Sequence, residues 1–272
     1  ATDPDADRVG VEVLQKDGSY LNLSGNQIGA IMAKYILEAH KNAGTLPENA
    51  ALCKSIVSTD LVTKIAESYG ATMFNVLTGF KFIAEKIQEF EEKHNHTYMM
   101  GFEESFGYLI KPFVRDKDAI QAVLVVAELA AYYRSRGLTL ADGIEEIYKE
   151  YGYYAEKTIS VTLSGVDGAE QIKAIMAKFR NNAPKEWNAT AITVVEDFKA
   201  QTSTAADGTV TTLTTPPSDV LKYTLADGSW IAVRPSGTEP KIKFYIAVVG
   251  ESNEDSQAKI ANIEAEINAF VK

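Results

Sequence analysis

Arg234-Pro235-Ser236-Gly237-Thr238-Glu239-Pro240 is the stretch on which the reading of this chain turns. Ahead of it runs Ser229-Trp230-Ile231-Ala232-Val233, and after it Lys241-Ile242-Lys243-Phe244-Tyr245-Ile246-Ala247-Val248. The second run alternates apolar residues with Lys at its start, which predicts a strand, and the first is extended in character. The seven residues therefore form a loop between two strands. Arg234 offers a planar fork of donors that matches phosphate oxygens. Ser236 and Thr238 add hydroxyls, and Gly237 lets successive backbone amides close on an anion. The prolines give up donors at the rim and stiffen both ends. No helix follows, which excludes a P-loop and a dinucleotide fingerprint. On composition alone, a phosphate cradle and an ordinary Ser-Gly turn beside an Arg fit equally well.

The bulk numbers narrow the class. A length of 272 residues favours two domains, and 46% hydrophobic with 24% charged residues is enough to build their cores. Cys53 is the one cysteine, so no internal disulfide forms, and a reducing, cytoplasmic setting is the expectation. The most apolar run, Ala122 to Tyr133, carries Glu128 and is too short to span a bilayer. A net charge of −10 argues against nucleic acid or an anionic membrane as partner. It also repels a sugar phosphate at long range, so Arg8, Lys81, Lys117 and Arg234 must supply local attraction.

Several other stretches carry chemistry. Asp3, Asp5 and Asp7 alternate and are followed by Arg8, a pattern that can converge on one hard cation. Arg8 at position six and Leu14 at position twelve exclude an EF-hand. An acidic, frayed terminus is the competing reading. Lys81 falls in the first turn of an expected helix, where the helix dipole disfavours a cation; such local violations gather at functional sites. Gly101-Phe102-Glu103-Glu104-Ser105-Phe106-Gly107-Tyr108 sets two carboxylates and a hydroxyl between glycines. Adjacent strand residues face opposite ways, so Glu103 and Glu104 are poorly placed as a glycosidase pair. His94 and His96 read as a solvated helix end, and Lys117 lies in a mixed-charge loop.

Element signals fill in the rest. Ser24 and Gln27 form a capping box for a helix ended near Asn42 and Gly44. A buried strand is expected at Ser55 to Ser58, a helix capped by Thr59 or Asp60 after it, and a short strand at Met73 to Leu77. A helix from Ala119 to Ser135, capped by Asp118, is apolar nearly all round and is expected to be buried. Another runs from Leu140 to Tyr151. A strand at Ile159 to Leu163 is expected to bridge two domains. Beyond it come a helix at Ala169 to Arg180, five short strands and a last helix from about Asn262 to Val271. The resulting division is 1–20, 21–155 and 156–272: an α/β domain followed by a small α+β domain with helices on one face of its sheet.

The Arg-x-Ser-Gly-Thr-Glu-Pro loop resembles the phosphate-binding loop of the α-D-phosphohexomutases. Asp-x-Asp-x-Asp-Arg resembles their magnesium loop, Thr78-Gly79-Phe80-Lys81 their loop that senses sugar orientation, and the Glu103 stretch their Gly-Glu-x-Ser sugar-binding loop. The order is also the family's. The resemblance implies Mg2+ on Asp3, Asp5 and Asp7, and substrate contacts from Arg8, Thr78, Gly79, Lys81, Glu103, Ser105, Lys117, Arg234, Ser236, Gly237 and Thr238. The extra Phe102 leaves Glu104 as the alternative to Glu103.

The implied activity interconverts hexose 1-phosphate and 6-phosphate through a phosphoserine, with hexose 1,6-bisphosphate as intermediate and activator. The family's nucleophile lies in a Ser-His-Asn type motif. Here Ala39, Lys93 and Asn95 precede the three histidines, so the nucleophile is absent. The resemblance spans only the later part of a mutase, and the chain, which starts at Ala1 without Met, is read as a fragment whose partners are a phosphorylated hexose and missing N-terminal domains. Alone it is expected to be inactive. A non-catalytic sugar-phosphate-binding module, and a magnesium-dependent phosphatase with Asp3 as nucleophile, are the other readings.

Overall fold

A computed structural model describes residues 1–163, 167–237 and 239–271. The chain divides into two compact units, 1–151 and 152–272.

The first unit opens with a hairpin, β1 (Val11–Leu14) and β2 (Tyr20–Leu23), which forms a two-stranded sheet by itself. Helix α1 (Gly25–Asn42) starts on the expected capping box: Gln27 N donates to Ser24 Oγ, and Ser24 N donates to the Gln27 side chain. Next come β3 (Ala50–Ser55), α2 (Leu61–Ser68), β4 (Thr72–Val76), α3 (Phe80–Lys93), β5 (Thr97–Glu103), β6 (Gly107–Leu109), α4 (Ala119–Ser135) and α5 (Leu140–Tyr151). The sheet order is β4-β3-β5-β6, parallel except for the antiparallel edge strand β6. A Cβ on Gly101 would strike Ile83 of α3, whereas the next residue, Phe102, packs on Gly29 of α1. Neighbouring strand residues face opposite ways, so α3 and α1 cover opposite faces of the sheet. The α3 side is filled by Ala51, Cys53, Val76, Ile83, Ile87, Phe90 and Leu109.

Two expectations need correction here, and the choice between Thr59 and Asp60 as cap is narrowed to Thr59. The buried strand lies at Ala50–Ser55 rather than Ser55–Ser58, because Ser58 turns back to bond Ser55 and ends the run. Asp60 makes no side-chain cap for α2; its carboxylate lies 2.8 Å from the ammonium of the fully buried Lys54, and Thr59 Oγ1 accepts from Leu61 N instead. Helix α4 is not buried all round. Only Ala119, Ala122, Leu129 and Tyr133 are fully buried, while Ile120 and Leu124 stand 66% and 69% exposed. Its Asp118 cap does form, accepting from Ile120 N and Gln121 N.

The second unit begins with β7 (Tyr153–Thr162), which pairs with the last strand over its whole length. It is thus an integral strand of this unit's sheet, and not a bridge between domains. Then follow α6 (Gly168–Asn182), β8 (Glu186–Trp187), β9 (Thr190–Asp197), β10 (Thr202–Ala205), β11 (Val210–Thr212), β12 (Leu221–Leu225), β13 (Trp230–Pro235), β14 (Lys241–Gly250) and α7 (Asn253–Val271). The sheet is antiparallel throughout, in the order β11-β10-β9-β12-β13-β14-β7, with β8 beside β9. Alternate residues Ile231 and Val233, and Ile242, Phe244, Ile246 and Val248, share one face with Ile172, Met176 and Phe179 of α6 and Ile260, Ile263 and Ile267 of α7. Period-two strands meeting two helical stripes on one side give the α+β layering. The architecture is therefore α/β followed by α+β. α7 starts nine residues before the expected Asn262, at Asn253. No helix among the described residues is long and apolar enough to cross a membrane.

Candidate functional site

The acidic loop is folded, not frayed. Thr2 bridges Val9, and Ala6 takes a left-handed φ of 55° to reverse the chain. Asp3 Oδ1 accepts from the backbone amides of Asp7 and Arg8, at 3.1 and 3.0 Å. The Arg8 amide leads in holding the Asp3 carboxyl below the usual carboxylate range. The three side chains each offer an oxygen within 4.8 Å of the others. Asp7 Oδ1 is buried and has no hydrogen-bond partner. Hard oxygen donors, three together with one unsatisfied, suit a divalent cation such as Mg2+.

The loop is held from the sheet side. Arg8 bridges Gly107, Val9 N donates to Phe106 O, and Ala119 N donates to Ala6 O at 3.0 Å. Lys117 Nζ sits 3.0 Å from Asp7 and 3.1 Å from Asp116. Its ammonium approaches because Gly107 has no side chain: a Cβ there would lie 2.2 Å from Lys117 Cδ. Arg8 is exposed, 3.7 Å from Asp3 and 3.9 Å from Asp7. Lys117 and Arg8 thus face the acidic loop directly.

Two further candidate stretches meet at one hydrogen bond. Glu103, at the end of β5, accepts from the Gly79 amide at 2.6 Å. Gly79 precedes α3 with φ of 120°, a conformation that L side chains rarely adopt. Glu104 points elsewhere: its Oε2 accepts from Ser55 Oγ and Ser58 Oγ, at 3.0 and 3.2 Å. The adjacent carboxylates therefore serve different partners, as the strand period requires. Thr78 is half-buried beside Gly79. Ser105 and Lys81 are exposed, with the Lys81 ammonium 4.8 Å from the Phe82 ring centroid. His96 packs edge-on to Phe74 and against Phe90, and no His joins a metal-binding group among the described residues.

In the second unit the loop leaves β13 and enters β14. Ser236 N donates to Lys241 O at 2.7 Å, Glu239 N donates to Ser236 Oγ, and Lys241 pairs with Glu239 at 2.9 Å. Gly237 is exposed, and Thr238 lies outside the described residues. Arg234 stands directly opposite Lys243 in the ladder. Lys241 is two residues along and shares their face. Among the described residues no carboxylate pairs with Arg234 or Lys243. Like charges opposed across a ladder repel, and an anion at the loop would relieve them. The sequence reading passed over Lys243; the alternation Lys241-Ile242-Lys243 next to Arg234, paired across a tight loop, is the signal that finds it. Ser55 and Ser58 were also missed, because only the fold brings them to Glu104.

Comparison with known proteins identifies the family of both units. Residues 24–151 match the family model "Phosphoglucomutase/phosphomannomutase, alpha/beta/alpha domain III", and 164–269 match "Phosphoglucomutase/phosphomannomutase, C-terminal domain". A phosphoglucomutase of Staphylococcus aureus is 38% identical over 261 residues, covering 96% of this chain and 46% of the relative. Among solved structures, the open form of the phosphoglucomutase parafusin from Paramecium superposes with a TM-score of 0.65 at 20% identity, over 99% of this chain and 44% of that one. N-acetylphosphoglucosamine mutase of Aspergillus fumigatus, solved with GlcNAc-6P and magnesium, gives 0.53 at 13% identity, over 100% and 48%. The chain spans about half the length of the relatives it matches. With both of its units accounted for in order, the chain belongs to the phosphoglucomutase/phosphomannomutase family and carries that family's domain III and C-terminal domain.

Proposed function

We propose that this chain is the sugar- and phosphate-binding half of a hexose-phosphate mutase and does not turn over by itself. The observation that carries the reading is the Arg234–Lys243 pair, two cations face to face beside a loop of amides and hydroxyls, with no carboxylate paired to either among the described residues. A bound phosphate dianion turns that repulsion into two charge-assisted contacts. Arg234 supplies the bidentate grip; Ser236, Gly237 and Thr238 supply the cradle.

In the first unit, Glu103 and Ser105 are the proposed acceptors and donors for sugar hydroxyls. Glu103 is fixed for this by the Gly79 amide, whereas Glu104 is engaged by Ser55 and Ser58. That arrangement favours Glu103 over its neighbour. Thr78 and Lys81 flank Gly79 in sequence, one residue before it and two after it. Asp3, Asp5 and Asp7 would hold Mg2+, with Arg8 and Lys117 balancing their charge. When bound, Mg2+ would neutralise charge on a phosphoryl group in transfer. The residues of this chain bind, orient and neutralise; the phosphoryl-carrying serine is proposed to come from the half of the relatives that the chain does not span.

Two measurements test this. The purified chain given glucose 1-phosphate should form no glucose 6-phosphate, and measurable interconversion would refute the half-enzyme reading. Calorimetric titration with glucose 6-phosphate should show binding that Arg234→Ala abolishes; equal affinity in the variant would remove the phosphate cradle. The cytoplasmic setting remains part of the proposal, supported by the single, buried Cys53.

A further inference from the structure

The end of β3 carries an ammonium that lies outside the proposed sugar and phosphate contacts. Lys54 is fully buried; its Nζ donates to Ser58 O at 3.1 Å and lies 2.8 Å from Asp60 Oδ1. A desolvated ammonium needs such partners, and both belong to the turn that follows β3. The same turn grips the end of β5. Ser58 Oγ accepts from Glu104 N at 3.1 Å and donates to Glu104 Oε2 at 3.2 Å. Ser55 Oγ donates to the same carboxylate oxygen at 3.0 Å. The start of α1 is tied to both pieces. Asn26 Oδ1 accepts from Thr59 N at 3.0 Å, and Tyr108 Oη donates to Gly25 O at 2.8 Å. A Cβ on Gly25 would lie 2.0 Å from Glu104 O, so the helix start abuts the strand end directly.

We infer that Glu104, anchored by Ser55 and Ser58, is a positioning residue that holds Glu103 on the Gly79 amide and toward a bound sugar. This rests on the reading of Glu103 as an acceptor for sugar hydroxyls. The β3–β5 ladder does not fix that direction by itself. Ala51 stands opposite Tyr98 but Leu52 opposite Met100, so one extra residue, Met99, is taken up in β5. The last pair of that ladder is Lys54 with Phe102, and both glutamates lie past it. A slip of one residue there would exchange the directions of Glu103 and Glu104. The serines prevent the slip. A carboxylate donates nothing, so both serine protons go to Glu104, while Ser58 Oγ stays an acceptor for the Glu104 amide. Residue 104 is thereby held by its main chain and its side chain together. Strand alternation then sends Glu103 the other way, where Gly79 N meets it at 2.6 Å. Lys54 holds the turn that carries Ser58, and so supports the anchor from within the sheet.

NMR of the purified chain with isotope-labelled glycine reads the bond directly, before any sugar is added. The Gly79 amide signal is the one that moves in Glu103→Ala, and a short bond to a carboxylate puts it downfield. In the double variant Ser55→Ala/Ser58→Ala, and in Glu104→Ala, that signal should move upfield. Its hydrogen exchange should quicken at least about tenfold. The other glycine signals report whether the fold is kept; where one variant loses them, the second decides. Calorimetric titration should show glucose 6-phosphate binding about tenfold more weakly to both variants, as when one charge-assisted hydrogen bond is lost. Inorganic phosphate, the probe for the Arg234 loop of the other unit, should bind all of these chains equally. Glu104→Gln keeps an accepting oxygen and should restore both readings relative to Glu104→Ala. An unmoved Gly79 signal in either folded variant overturns the inference; weaker sugar-phosphate binding alongside it would make Glu104 a direct sugar contact. A moved signal with unchanged glucose 6-phosphate affinity overturns it too, leaving the frame a matter of fold alone. An unsubstituted chain that binds no glucose 6-phosphate counts against the sugar-site reading and not against the frame, which the Gly79 signal decides.

Discussion

The Gly79 amide donates a 2.6 Å hydrogen bond to the Glu103 carboxylate, so two loops separated by a helix and a strand act as one. Glu103 lies at the end of β5 and Gly79 at the entry to α3, each on a regular element that fixes its direction. Glu103→Ala leaves a half-buried amide without its acceptor. It should cost about 1–3 kcal/mol of stability in urea unfolding and weaken sugar-phosphate binding as well. A variant with unchanged midpoint and unchanged affinity would show that the bond matters to neither.

Metal binding should be visible as stabilisation. A ligand at about 100 times its Kd raises the unfolding free energy by about 2.7 kcal/mol. Saturating Mg2+ is therefore expected to raise the thermal midpoint of this chain, and EDTA to reverse it. Asp7→Asn should lose the effect, since Asp7 Oδ1 is the buried oxygen without a hydrogen-bond partner. A midpoint indifferent to Mg2+ in the unsubstituted chain would argue against the metal loop.

Opposed cations make Lys243 a residue that trades stability for binding. Lys243→Gln should stabilise the ligand-free chain by about 0.2–1 kcal/mol through relief of repulsion with Arg234. The same change should weaken inorganic phosphate binding. Loss of stability together with unchanged phosphate affinity would mean that Lys243 is merely a solvated strand residue.

Packing sets the place of Lys117. Gly107→Ala brings a methyl group into the stem of that side chain, 2.2 Å from Cδ, and should push the ammonium away from Asp7. Overpacking costs of about 1–3 kcal/mol apply where a neighbour must move. A crystal structure or double-mutant cycle with Lys117→Met should show the coupling; additive effects would place Lys117 elsewhere in solution.

The second unit should be acid-sensitive through Asp197. Burial works to raise its pKa, but Arg180 at 2.7 Å and the amides of Ala200 and Lys199 outweigh burial and hold it below the ordinary value. A depressed carboxylate contributes stability that is complete above its unfolded pKa of about 3.9 and is lost as pH falls through the lower folded value. Asp197→Asn should thus destabilise at neutral pH, with the gap closing below about pH 4. A gap that stays constant down to strong acid would contradict the assignment.

Much of this was legible in residue order alone. The capping box at Ser24 and Gln27, the Asp118 cap and the strand alternation around the Arg234 loop are local signals, decided within a few residues by backbone donors and side-chain period. The motif order was enough to reach the family, because short loops with special chemistry keep their spacing to the elements that carry them. Other features were invisible along the chain. Helix α4 reads as buried because its sequence is apolar on nearly every side, yet burial depends on what lies opposite, and most of its outer face meets nothing in this unit. Asp60 reads as a cap but pairs with Lys54, since a fully buried ammonium outbids a helix end for the nearest carboxylate. The two adjacent glutamates are interchangeable along the chain. The fold gives them different partners, turning Glu103 to Gly79 and Glu104 to Ser55 and Ser58. Sequence thus determined which chemical groups sit at which loop; long-range packing determined which of them meet, because a contact between distant residues is a property of the folded layers and leaves no periodic trace in the chain.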